Sequence, residues 1–184
     1  VERLAEKYGM EFRRPYWDEQ TDEELVARHE REVFPLLRRR ELFASAASFR
    51  LFDLRDANGT VNENVFVYTN GQDDDRVLVA VNNSYERAAG TISDSAPYAE
   101  GDDRRTQSIG EALAASDRDD EFLIMQEQRS GLWHIRPSRE VAREGLRLVV
   151  DGYQSTVFWG IHRRADPDGR LARLAASLDG AGVP

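Results

Sequence analysis

Residues 62–90 constrain this chain more than any other stretch. They read NENVFVYTN, a polar loop GQDDD, then RVLVAVNNSYERAAG. Two runs, residues 65–69 and 76–81, are rich in Val, Phe and Tyr, and each is bounded by Asn, Gly or Asp. That composition predicts two adjacent antiparallel strands joined by a solvated loop. Side chains alternate along a strand, so Val65, Val67 and Thr69 face one way and Phe66 and Tyr68 the other. Both faces carry apolar bulk. The expectation is a central pair of strands, covered on both sides by the rest of the chain.

Around this hairpin the chain reads as follows. Residues 1–20 are mixed, with Phe12, Tyr16 and Trp17 around Pro15, and RRPYWDEQ (residues 13–20) reads as a loop packed against something. Thr21 and Glu24 have the spacing of a capping box. Leu25, His29 and Val33 recur on one helical face, and Pro35 should break or restart that helix. From Phe49 the period becomes two: FRLFDL is a strand ending in the turn DANGT. Residues 90–93 form a short edge strand, and residues 94–105 a loop. Ser108 opens SIGEALAAS, a short helix with a second Ser/Glu capping pair. Residues 122–128 and 132–136 form a hairpin, and PSREVAREG is a short helix with Gly145 past its end. Residues 146–150 and 156–163 form a last hairpin around DGYQ. Asp168 then caps RLARLAASL, a helix closed by Gly180. Short strands joined by hairpins, with helical insertions, predict a mainly-β fold: an antiparallel β-sandwich with an N-terminal helical segment.

Charge narrows the partners. The formal net charge is -9, and Lys7 is the only lysine. Binding to phosphate backbones needs a basic surface, so no nucleic-acid partner is expected. No run of about 18 apolar residues is present, so no membrane-spanning segment is expected. The chain has no cysteine, which excludes disulfides, thiol nucleophiles and zinc–thiolate sites.

NENVFVYTN, followed by a polar loop, an aliphatic strand and NNSYERAAGTI, resembles the C-terminal region of α-amylase-family (glycoside hydrolase family 13-like) proteins. In those proteins a catalytic (β/α)8 barrel is followed by an antiparallel β-sandwich. The resemblance extends upstream through EKYGMEFRRPYWDEQTDEELVARHEREVFPLLRRRELF, which is similar to the last part of the barrel. It extends downstream through SGLWHIRPSREVAREGLRLVVDGYQSTVFWGIHRR. It implies that residues 1–46 end a barrel and residues 47–184 form the sandwich that covers it, so the first partner is the upstream barrel of the same polypeptide and α-glucan a second. The competing reading is a free-standing β-sandwich that binds carbohydrate or protein.

The candidate residues follow. The family's catalytic carboxylates lie upstream and none of its catalytic motifs matches here, so no catalytic residue is expected. His29, His134 and His162 fall in different elements, and the acidic loops lack calcium-loop spacing, so neither metal nor cofactor is expected. Pyranose faces stack on exposed aromatic rings. The carbohydrate-binding candidates are Trp133, Tyr153, Tyr98 and Tyr85. Trp159 alternates with Val157 and Ile161 and reads as core.

Overall fold

The computed structural model describes residues 20–184. The loop expected at residues 13–20 lies outside them except for Gln20. The chain divides into two compact units, Val1–Arg40 and Glu41–Pro184.

The first unit contains α1 (Glu23–Glu32) and α2 (Phe34–Arg38). Its cap lies one residue later than the Thr21 box predicts. Asp22 is the N-cap, and its carboxylate accepts from the Leu25 N–H at 3.0 Å. A carboxylate there satisfies an orphan donor and also meets the positive end of the helix dipole, an advantage Thr21 lacks. Pro35 restarts the helix as expected. It sits in the first turn of α2, where its missing N–H costs nothing.

The second unit begins with α3 (Glu41–Ala44), then β1 (Arg50–Arg55), β2 (Val61–Asn70), a 3-10 turn at Asp73–Asp75, β3 (Val77–Asn82) and β4 (Ala88–Ile92). A small hairpin of β5 (Tyr98–Glu100) and β6 (Asp103–Arg105) precedes α4 (Ile109–Ala112). Then come β7 (Glu121–Glu127), β8 (Trp133–Pro137), α5 (Ser138–Glu144), β9 (Leu146–Val150), β10 (Ser155–Ala165) and α6 (Arg170–Leu178).

Eight of these strands form one antiparallel sheet, in the order β8-β7-β10-β3-β2-β1-β4-β9. The pair that the sequence marked, β2 and β3, sits in its middle. The sheet curls around one core. Val67 on β2, Leu78 on β3, Leu123 on β7 and Leu146, Leu148 and Val150 on β9 all belong to a single buried cluster. Strand β9 is four places from β3 in the sheet, yet the Asn82 amide at the end of β3 reaches the Val150 carbonyl at 3.2 Å. The fold is therefore mainly β and sandwich-like, as the strand pattern predicted.

Each helix insertion has a local cause. Ser108 and Glu111 make the full reciprocal capping box on α4: the Ser108 hydroxyl accepts from the Glu111 N–H at 3.1 Å, and the Glu111 carboxylate from the Ser108 N–H at 3.0 Å. Gly145 ends α5 at φ +93, where a Cβ would lie 2.3 Å from the Ile92 carbonyl oxygen. Only glycine lets β9 start that close to β4.

Several expectations need correction. Strand β4 is not an edge: it pairs with both β1 and β9, and the edges are β8 and β9. Residues 94–105 contain the β5–β6 hairpin. The last hairpin does not exist. β9 pairs with β4 and β10 with β3 and β7, so DGYQ is an arch from the β9 edge of the curled sheet to the interior strand β10. A short polar link looks the same in sequence whether it turns within a layer or crosses between layers. Trp159 is half-buried, not core. A bulge between Trp159 and His162, with Gly160 at φ +58, adds one residue to β10. Phe158 and Ile161 thus both reach the core cluster while Trp159 does not. The cap of α6 moves too. The Asp166 carboxylate accepts from the Leu171 and Ala172 N–H groups at 3.0 and 2.9 Å, whereas Asp168 accepts from the Arg170 N–H at 3.2 Å.

The largest correction concerns cover on the two sides of the hairpin. Val65, Val67 and Thr69 are buried, as the alternation required. The opposite face of β2 is not covered. Phe66 remains 52% exposed and, beside it, Leu51 on β1 and Phe49 are each 41% exposed. Strand β3 alone meets the expectation, with Val77, Leu78 and Val79 all buried.

Candidate functional site

The four candidate aromatics separate into three environments. Trp133 starts β8 half-buried, with its ring edge-on to His162 at 6.3 Å. Its backbone exchanges hydrogen bonds with Val183 at 2.7 and 2.9 Å, so the C-terminal segment covers this sheet edge. Tyr98 lies on β5 with the Arg50 guanidinium 3.5 Å above its ring, so one ring face is occupied by a cation–π contact. Tyr85 and Tyr153 differ from both. They are 76% and 70% exposed, and the fold brings them together.

Tyr85 lies in the turn from β3 to β4, and Tyr153 in the arch from β9 to β10. Buried Asn82 ties these two turns. Its amide nitrogen donates to the Glu86 carbonyl at 2.7 Å on its own turn, and to the Val150 and Asp151 carbonyls at 3.2 and 3.3 Å on the arch. Its side-chain oxygen accepts from the Ser84 N–H at 3.0 Å. The Tyr153 N–H donates to the Ser84 carbonyl at 2.8 Å, and the Asn82 N–H to that of Gln154 at 2.9 Å. Arg87 and Asp151 add an exposed ion pair at 3.3 Å. Gly152 makes the approach feasible, since a Cβ there would lie 2.1 Å from the Tyr85 carbonyl oxygen. The motif NNSYER gave one half of this arrangement, and its pairing with DGYQ depends on the arch.

A second feature is the apolar strip on the outer face of β1 and β2. The register sets Leu51 opposite Tyr68 and Asp53 opposite Phe66, all pointing away from the core. Phe49 packs on Tyr68 with ring centroids 5.2 Å apart. Burial holds the Tyr68 hydroxyl above the usual tyrosine pKa.

The third feature is a groove of about 990 Å³ between β8, α5, β9 and α6. Register places His134 opposite Met125 and Arg136 opposite Leu123, so both polar side chains point to the core side of the sheet. There the His134 ring meets Phe158 edge-on at 5.2 Å, and Arg136 donates to the Gly180 carbonyl at 2.9 Å. Burial lowers the pKa of both groups. They anchor the segment that follows α6.

Three carboxyl groups among the described residues have a displaced pKa. Asp117 lies below its ordinary pKa because Arg143 donates to it at 2.7 Å, and Asp120 because Arg118 does at the same distance. For Asp166, burial pushes upward, but the backbone N–H groups of Ala172, Leu171 and Arg170 outweigh it and hold the group down. A glycosidic general acid needs a raised pKa. Among the described residues, every carboxyl group with a displaced pKa moves the other way. Among the same residues no group of three His, Asp or Glu is placed to hold a metal ion, and no helix is long and apolar enough to cross a membrane.

Comparison of the chain with family models, with curated proteins and with solved structures returns no match.

Proposed function

We propose that this chain is a non-catalytic C-terminal portion of an α-amylase-like glycoside hydrolase, whose sandwich supports the catalytic barrel and also contacts α-glucan. The exposed outer strip of Phe49, Leu51 and Phe66 carries this reading. These side chains lie on the outer face of β1 and β2, with Phe49 just before β1 and packed on Tyr68, where a free-standing sandwich would place polar residues. An occupant with its own apolar surface fits that face, and the resemblance of residues 1–46 to the end of a barrel names which occupant.

The test is to express the preceding barrel separately and mix it with this chain. A one-to-one complex is expected, and Leu51→Ser with Phe66→Ser should weaken it at least about tenfold, since two partly buried apolar contacts are lost. Starch and maltooligosaccharides should be untouched by the isolated chain. Turnover that disappears on a single carboxylate substitution would overturn the proposal. The paired tyrosines favour a second reading, a free-standing carbohydrate-binding module. A chain that binds sugar but never the barrel would establish that reading instead.

A further inference from the structure

We infer that Tyr85 and Tyr153 form one two-ring platform for the pyranose rings of an oligosaccharide chain. The inference deepens the glucan-contact part of the proposal above, and it uses none of the residues on the docking face.

Neither ring serves the fold. Both are more than two-thirds exposed, and neither belongs to the core cluster. Their backbones, in contrast, are over-determined. The Tyr153 N–H to Ser84 carbonyl bond, the Asn82 clamp and the Gly152 contact hold two turns from distant parts of the sequence against each other. Tyr153 is itself held at φ +52, a left-handed conformation that a bulky side chain adopts only where the surroundings impose it. A strained, fixed backbone that presents a large ring to solvent is the pattern of a preorganised contact residue.

The surroundings indicate which ligand. Asn83, Glu86, Arg87, Asp151 and Ser155 flank the rings, and all are exposed and polar. A protein partner would favour a contiguous apolar patch, and an anionic lipid surface a cluster of basic residues. Arg87 is the only basic residue among these five flanking positions, and Asp151 pairs with it. Flat apolar faces set among hydrogen-bonding groups match a pyranose, whose C–H face stacks on an aromatic ring while its hydroxyls reach outward. Two rings rooted on touching turns suit consecutive sugars of one chain better than a single monosaccharide.

The 184-residue chain would be titrated with maltoheptaose and, separately, with cellohexaose, by calorimetry and by backbone amide shifts. Saturable binding of at least one is expected, with shifts concentrated at residues 82–87 and 151–154. Which sugar binds distinguishes α- from β-linked ligands. Tyr85→Ala and Tyr153→Ala should each weaken binding about fivefold, and the phenylalanine variants should stay within about twofold, because the ring face supplies the contact. Thermal unfolding should be unchanged in all of them, since the rings are exposed. Phe66→Ser should leave sugar binding intact even where it disrupts barrel docking. The inference fails if neither sugar saturates at about 10 mM, the weak end of the affinity scale. It also fails if the double alanine variant binds as the parent does, or if the phenylalanine variants lose as much as the alanine ones.

Discussion

Asn82 shows how one side chain can hold two parts of the chain together. It is 2% exposed and uses both ends of its amide, on its own turn and on the β9–β10 arch. Asn82→Ala would leave buried backbone carbonyls without donors, at a cost of about 2–3 kcal/mol. Asn83→Ala next door, exposed, should change stability by less than about 0.5 kcal/mol. Urea unfolding of the two variants checks the contrast. Asp166 gives a pH signature. Its folded pKa lies below the unfolded one, so the stability it contributes is complete above the unfolded value, about 4, and is lost as pH falls through the folded value. The melting temperatures of the parent and Asp166→Asn should therefore differ most near neutrality and converge in acid. A gap that widens as pH falls would contradict the helix-capping role.

At the level of elements, β2 and β3 respond differently to the same kind of insult. Val79 and Phe66 point to the same side of the sheet, but Val79 is 5% exposed and Phe66 about half exposed. Val79→Asp should unfold the domain, because it buries an unpaired charge at a cost of several kcal/mol. Phe66→Ser should cost under about 1 kcal/mol. Circular dichroism on heating would separate the two, and equal effects would mean that the outer face is covered after all. The hairpins β2–β3 and β7–β8 and the strand and turn of β1 were legible from alternation and turn residues, and so were the Ser108 box and the end of α5 at Gly145. The arch and the bulge were not. Whether a link crosses between layers, or a strand gains a residue, is set by where distant apolar side chains must point.

For the whole molecule, Phe49, Leu51 and Phe66 leave an apolar strip exposed on the outer face of the sheet, a feature that marks an interaction site when it is contiguous. Expressed without a barrel, the chain should self-associate at tens of micromolar, the weak end of protein contacts. Leu51→Ser with Phe66→Ser should shift it toward monomer in light scattering. A monodisperse parent would remove the support this strip gives to docking.

Local chemistry settled much of this protein in advance. Side-chain alternation chose the buried face of β2, glycine and asparagine placed the turns, and Ser108 with Glu111 capped a helix, because each depends only on residues within a few positions. The sheet order, the burial of β4 inside it and the edges at β8 and β9 depended on packing. The meeting of Tyr85 with Tyr153 did too. These tyrosines lie 68 residues apart in the sequence. They become neighbours only because the sheet curls to put Leu146, Leu148 and Val150 into the same core as Leu78 and Leu123. Core burial is a long-range, non-directional force, so no local pattern in either turn encodes the other.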